Sequence, residues 1–345
     1  MPVTTKRIGF ACKYMHPNMT LTTKQRSEME SRYNTKTTTR AWLGRQTTVV
    51  AEAKLWEIIR HNLWATKNLV KYVGGLPNEL RFVRISSDLL PLYTEQSWAY
   101  FYKKPDVLTW LQREFDELGN IARNLECRMS CHPGQFCCLA SDTPDIVTNS
   151  IAEFEYHADM IRWMGYGKTF QDFKANVHIG GRLGPEGIRQ VYSRLSTEAR
   201  NTITIENDEF GWGLDSCLEL HDIIPIVLDI HHHYIRTNGD YIQPTDARIS
   251  MIIDSWRGVR PVMHYSVSRE EYITDNSVLP NMRLLLEQGH KPQSLRAHSD
   301  TFSNVACNNW ALSFWDNFDI MCEAKHKNIA SKQLYSQYLI NTSVN

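Results

Sequence analysis

The stretch "PIVLDIHHHYI", residues 225–235, decides how the rest of the chain is read. It opens with a short, partly β-branched apolar run, the composition of a strand buried on both faces. The run stops at Asp229, one isoleucine follows, and then come His231, His232 and His233 in succession. A carboxylate and imidazoles at a strand end are either metal ligands or a solvated turn. The choice turns on whether other strands end in the same way.

Comparable runs recur along the chain: "RIGFAC" (7–12), "LRFVRIS" (80–86), "CRMSCH" (127–132), "ANVHIG" (175–180), "TITIEN" (202–207), "PVMHYS" (261–266) and "FDIMCEA" (318–324). With 225–230 they make eight strands, separated by segments of helical periodicity such as 49–73, 107–125, 145–165 and 185–199. Eight strand–helix repeats predict an α/β fold, a (β/α)8 TIM barrel, because parallel strands need helical crossovers. An open doubly wound sheet is the competing arrangement. The 345 residues fill one such domain, with a core at about 7–327 and a C-terminal tail, 326–345, read as a helix with a frayed end. The polar, threonine-rich segment 16–43 reads as an extended loop with a short helix after the first strand.

Composition excludes more than it selects. Lys+Arg and Asp+Glu balance at 38 each, so no global charge announces nucleic acid, although a local basic groove fits inside a neutral total. A hydrophobic content of 42% with ten tryptophans describes a globular chain. No apolar stretch approaches the roughly 20 residues of a membrane span, and the amino terminus has no secretory h-region, so the expectation is an intracellular protein that is neither secreted nor membrane-bound. The eight cysteines contain no CxxC pair and read as reduced core thiols.

The metal-capable side chains fall in a pattern. His132, His178, Glu206, Asp229, His264 and Glu323 stand at or near the ends of six predicted strands, and His232 and His298 lie in loops after two of them. In a barrel these ends share one mouth, where barrel enzymes carry their chemistry. A lone histidine there is more often a hydrogen-bonded core residue, and a lone carboxylate a helix cap. Six such ends would make an intolerably polar mouth unless cations offset the carboxylates. Imidazoles and carboxylates without thiolates suit manganese, zinc, iron or cobalt, and so many ligands imply a cluster of two or three ions. Such a cluster clamps attacking and leaving oxygens of a phosphodiester and activates water near neutral pH, which makes phosphoryl hydrolysis the leading chemistry. Asp229 and His232, at i and i+3, can reach one cation; His231 and His233 read as outer support or solvent-facing.

Several words resemble the ultraviolet damage endonuclease family: "RISSDLLP" (84–91), "HPGQF" (132–136), "HIGG" (178–181), "IENDE" (205–209), "LDIHHH" (228–233), "MHYS" (263–266), "AHSD" (297–300) and "CEAKHK" (322–327). The resemblance implies a barrel DNA repair endonuclease that nicks duplex DNA immediately 5′ of ultraviolet photoproducts, using a divalent metal cluster, manganese first, with zinc, cobalt or magnesium as alternatives. It assigns His132, His178, Glu206, Asp229, His232, His264, His298 and Glu323 as catalytic metal ligands. Gln135 and Phe136 would wedge into the duplex at the lesion. Phe10, Tyr14, Arg84 and Lys325 are further candidates for DNA contact, and the expected partner is double-stranded DNA bound by a monomer.

Three departures from the family pattern involve four positions. Glu95 stands where a histidine ligand is common and is carried as a candidate ligand. Val262 replaces a lysine that is carboxylated in some members, and Phe136 and Phe10 lack a tyrosine hydroxyl. The rival readings are an abasic-site endonuclease or sugar isomerase of the same barrel class, and a damaged-DNA-binding protein without turnover. "RISSD" and "HPGQF" argue against the isomerase, which has no use for a duplex wedge.

Overall fold

Residues 5–134, 136–273 and 275–343 are described by the structure, a computed structural model of the chain. The apolar runs form β1 (Ile8–Ala11), β2 (Phe82–Arg84), β3 (Arg128–Cys131), β4 (Lys174–His178), β5 (Ile203–Glu206), β6 (Ile226–Asp229), β7 (Val262–Tyr265) and β8 (Asp319–Cys322). All neighbours pair in parallel and in sequence order, and β8 closes on β1 with Ile8 opposite Ile320, so the open-sheet alternative is excluded. Each strand lies within its predicted run except β4, which begins at Lys174.

Alternation of side chains sets the two faces of each strand. Ala175, Val177, Ile203, Ile205, Ile226, Leu228 and Met263 are buried in the main apolar core. Burying each of the larger ones is worth roughly 1.5–3 kcal/mol. The alternate positions enter the barrel interior, and there the chain is polar: Ser130, Lys174, Asn176, Thr204, Glu206, Asp229 and His264 are all buried.

Helices Thr48–Gly74, Pro105–Asn124 and Pro144–Trp163 match their periodic segments closely. In the second, Val107, Leu111, Phe115, Leu118 and Ala122 form the buried stripe, and Pro105 occupies the first turn, where its missing N–H costs nothing. Gly119 permits close contact: a Cβ there would lie 2.0 Å from the Met164 carbonyl oxygen. The helix expected over 185–199 is instead two, Gly184–Tyr192 and Thr197–Thr202, because the Ser196 hydroxyl accepts from the Ala199 amide and starts a new helix. Segment 16–43 holds two short helices, Thr23–Glu30 with a Thr22/Gln25 capping box, and Arg40–Leu43. The tail forms helix Lys327–Ser343. Among the described residues, no helix is long and apolar enough to cross a membrane.

The amino-terminal end of the barrel is closed by a satisfied charge cluster. Asp319, fully buried, accepts from the Arg7 amide at 2.8 Å, Arg128 Nη1 at 2.6 Å and Arg260 Nε at 2.7 Å. The opposite end is where the polar interior opens.

Candidate functional site

At the carboxyl ends of the strands a cleft of about 430 Å³ is lined by His132, His178, Asp208, Glu209, His232, His298 and Glu323, among others. Glu206 lies at its base. Its Oε1 is 3.0 Å from His264 Nδ1, its Oε2 is 3.4 Å from His132 Nε2, and Asn176 Nδ2 also donates to Oε2. Thr204 in turn donates to Asn176 Oδ1 at 2.8 Å, which fixes the amide.

His132 and His232 are each held through Nδ1, with Nε2 turned to the cleft. His132 Nδ1 lies 2.8 Å from the Pro133 carbonyl and His232 Nδ1 lies 3.0 Å from the Asn207 carbonyl. A carbonyl only accepts, so each Nδ1 carries a proton, which leaves Nε2 as the atom a cation could take. The ring of His178 sits 5.0 Å from that of His132 and 5.5 Å from that of His232, and its buried Nδ1 has no hydrogen-bond partner. Asp229 caps the helix Ile230–Arg236, its Oδ1 accepting from the His232 amide at 2.8 Å. Its Oδ2 is buried without a hydrogen-bond partner, 3.7 Å from His232 Nδ1. Glu323 Oε1 is 3.3 Å from His264 Nδ1 and also receives Arg84 Nη1.

Donor atoms converge twice: His132, His178 and Glu206 form one set, and Glu206, Asp229 and His264 the other, each within 4.8 Å. Glu206 belongs to both. The electrostatics are those of a site short of cations. Burial pushes the Asp229 carboxyl up to about 8, with Glu206 and Glu323 adding to the shift against the pull of His232. Burial would lower His232, but Asp229, Glu206 and Glu209 outweigh it and push it up to about 10. His264, by contrast, is driven down to about 4 by burial against the pull of Glu206. Unpaired acceptors, free imidazole nitrogens and a carboxyl that cannot ionise alone fit a divalent cation better than an empty polar core.

The other expected residues divide. Lys325 is on the rim, half-exposed, 2.8 Å from Asp300. Phe136 projects into solvent at 87% exposure, while Gln135 lies outside the described residues. Phe10 is a core residue at 1% exposure, so the expected DNA contact is corrected: β1 packs it inside. Arg84 is also no rim phosphate binder, since its guanidinium is turned inward onto Glu323. Tyr14 packs against Tyr33 and Tyr72 and lines a separate groove beside helix Lys327–Ser343. Glu95 is placed outside both donor sets and the cleft, its carboxylate engaged by Arg40 at 3.1 Å and the Ser97 amide at 2.8 Å. His231 and His233 are both buried rather than solvent-facing: their Nε2 atoms lie 3.3 Å from the Arg296 carbonyl and 3.0 Å from Asp240.

Sequence reasoning passed over four interior or rim residues, Asn176, Lys174, Asn207 and Glu209. Lys174 Nζ lies 3.0 Å from His264 Nε2, and burial pushes its amine down to about 7, so a buried lysine does reach this histidine, from β4 and not from the β7 position of Val262. Alternation in "KANVH" carried the signal, since Lys174, Asn176 and His178 share a face. Asn207 brackets Asp229, donating to its carbonyl and accepting from its amide, both at 2.9 Å. Glu209 is the fourth.

A closed parallel barrel with two adjoining imidazole–carboxylate sets at its mouth has the form of a barrel protein that carries its chemistry at the strand ends. The chain belongs to the UV-endonuclease UvdE family, whose model matches residues 6–343. It is 27% identical over 303 residues to a UV DNA damage endonuclease of Bacillus cereus (strain B4264), covering 83% of each chain. It is 29% identical over 292 residues to the UV-damage endonuclease of Schizosaccharomyces pombe, covering 79% of this chain and 43% of that one. Among solved structures, the SacUVDE crystal structure superposes with a TM-score of 0.71 at 23% identity, covering 97% of this chain and 99% of that one. Endonuclease IV from Thermus thermophilus gives 0.50 at 12%, covering 81% and 94%. These two likenesses bear on the fold alone.

Proposed function

We propose that this chain is a DNA repair endonuclease that nicks duplex DNA immediately 5′ of ultraviolet photoproducts and needs divalent cations to do so. The observation that carries the reading is the pair of donor sets sharing Glu206, in a chain matched to the UV-endonuclease family over residues 6–343. His132, His178 and Glu206 would hold one cation; Glu206, Asp229, His264 and Glu323 a second; His232 and His298 stand beside them. Bound there, divalent cations, manganese first, supply Lewis acidity toward the phosphodiester and a nucleophile from water at neutral pH.

The protein's own groups do the rest. Asn176 and Thr204 orient Glu206, and Asn207 fixes His232 so that Nε2 faces the cleft. Phe136, an exposed apolar side chain beside His132, suits insertion into a stack that a lesion has already weakened, with Gln135 as its proposed companion. That difference in unstacking cost is the proposed source of selectivity. Lys325, at the rim, suits a backbone phosphate.

The test is a gel assay on an end-labelled duplex carrying one defined photoproduct, with Mn²⁺ or EDTA, beside undamaged and abasic duplexes and a His232→Ala variant. The expected result is a cation-dependent nick just 5′ of the photoproduct that the variant loses. Cleavage confined to the abasic duplex would move the chain to abasic-site chemistry, and binding without cleavage would end the enzymatic reading.

A further inference from the structure

His232 is left out of both donor sets, yet its Nε2, the nitrogen not turned to the Asn207 carbonyl, faces a carboxylate that the site described above does not use. Glu209 Oε2 lies 3.6 Å from His232 Nε2, and the side chain is only 12% exposed. The neighbouring Asp208, also in the cleft lining, accepts through Oδ1 from the amides of Phe210 and Gly211 in its own loop. Glu209 Oε1 is held by Arg296 Nη1 at 2.9 Å, and the Arg296 guanidinium rests over the Phe210 ring, 5.3 Å from its centroid. Arg296 is half-exposed, and its backbone carbonyl lies against His231, so one residue joins the loops after β5 and β7 to the histidine helix. Nearby, Asp229 Oδ2 is fully buried and lacks a hydrogen-bond partner.

We propose that Glu209 is the carboxylate of an outer cation position shared with His232, and that Arg296 supplies the positive charge there until a cation arrives. A cation between Glu209 and His232 takes over the charge that the guanidinium neutralises. Arg296 is then released, while the Phe210 face keeps it at the rim, where a DNA phosphate is its next partner. Cation loading and duplex binding thereby strengthen each other, since a group freed by one ligand serves the other. This inference rests on the cation-dependent reading proposed above and adds a ligand and a coupling to it.

The experiment measures Mn²⁺ bound per chain by equilibrium dialysis with elemental analysis, and anisotropy of an undamaged labelled duplex against salt, with and without Mn²⁺. It compares the full-length wild type with Glu209→Gln, Glu209→Asp and Arg296→Gln, each checked for an unchanged thermal transition. The wild type should bind duplex several-fold tighter with Mn²⁺. Glu209→Gln should hold its weakest cation at least about tenfold less tightly, and Glu209→Asp should recover part of that loss. Arg296→Gln should keep its cations, lose the Mn²⁺-dependent gain in duplex affinity, and show a salt slope smaller by about one. Unchanged cation binding in Glu209→Gln, or an unchanged Mn²⁺ gain in Arg296→Gln, overturns the inference while leaving the cation-dependent reading intact. A wild type that takes up no divalent cation overturns both.

Discussion

The two ends of this barrel bury charge in opposite ways. At the amino-terminal end one carboxylate, Asp319, meets the Arg7 amide, Arg128 and Arg260 at hydrogen-bonding distance, and its charge is answered within the protein. At the carboxyl end, among the described residues, Glu206, Asp229 and Glu323 face a single arginine, Arg84, whose guanidinium is turned onto Glu323, and otherwise only the titratable Lys174 and His232. Asp229 Oδ2 and His178 Nδ1 are left buried without hydrogen bonds. Buried charge with its partners in place supports the fold; buried charge without them is retained for a ligand.

The comparison breaks first at Asp319. Replacing it with alanine leaves Arg128 and Arg260 facing each other in a closed interior, and loss of one partner from a buried pair costs about 3–5 kcal/mol. Denaturant unfolding of Asp319→Ala should show a loss of that order, and Mn²⁺ should still raise the remaining stability. The same measurement on Asp229→Asn should go the other way: metal-free stability unchanged or higher, because the amide removes a carboxyl that has no good place for its charge. If Asp229 is the cation ligand proposed above, nicking should fall at least about a hundredfold. A strongly destabilised Asp229→Asn would mean that the mouth is structural after all.

Cations sharpen the contrast next. A ligand at a hundred times its dissociation constant adds about 2.7 kcal/mol to the folded state. Mn²⁺ should therefore raise the wild-type melting temperature, EDTA should reverse the rise, and Asp229→Asn should lose most of it. A similar rise in Asp229→Asn would place the ions somewhere other than this cluster.

The pH dependence follows from the same carboxyl. Burial holds Asp229 near 8 in the fold, against about 4 when unfolded, so the folded state keeps a proton that the unfolded state releases. Its contribution is fully present below about pH 4 and is lost as pH rises towards 8. Metal-free wild type should therefore lose stability relative to Asp229→Asn across that interval, read as a difference between two thermal melts. His157 works with the opposite sign away from the cluster. Burial pushes it down to about 4, so its neutral form stabilises the fold above about 6.5 and that support fades as pH falls through 4.

Much of this was legible in the sequence because the relevant signals are local. Each strand is a short apolar run, and the metal-capable residues stand where those runs stop, so the strands and those residues could be read from "HPGQF", "HIGG", "IENDE", "LDIHHH", "MHYS", "AHSD" and "CEAKHK". What escaped depends on direction across the barrel. Nothing in "RISS" says that Arg84 turns inward to Glu323, 239 positions away, instead of outward to phosphate. Phe10 looked like an exposed probe by analogy, but alternation within a four-residue strand cannot tell a rim position from a packed one. Glu95 has the right chemistry for a ligand and the wrong loop geometry, which ties it to Arg40 and Ser97. Lys174 was missed because a lysine at the start of a strand reads as a surface residue, and only the closed barrel shows that its amine ends beneath His264.

The smallest effect is expected at the rim, where water screens what the interior does not. Lys325 and Asp300 are each about half-exposed and 2.8 Å apart, a pair worth at most about 1 kcal/mol to stability. Lys325→Gln should leave the melting temperature almost unchanged. If the lysine contacts a backbone phosphate, the variant should bind all duplexes slightly more weakly and lower the salt slope of binding by about one, without changing the ratio between damaged and undamaged DNA. A change in that ratio would assign Lys325 to lesion recognition, whereas an unchanged slope would leave it as a surface ion pair. Either result separates the charges that position a duplex from those that hold cations, a distinction drawn by depth: the same kind of pair that anchors Asp319 at the floor contributes little to folding once it stands in solvent.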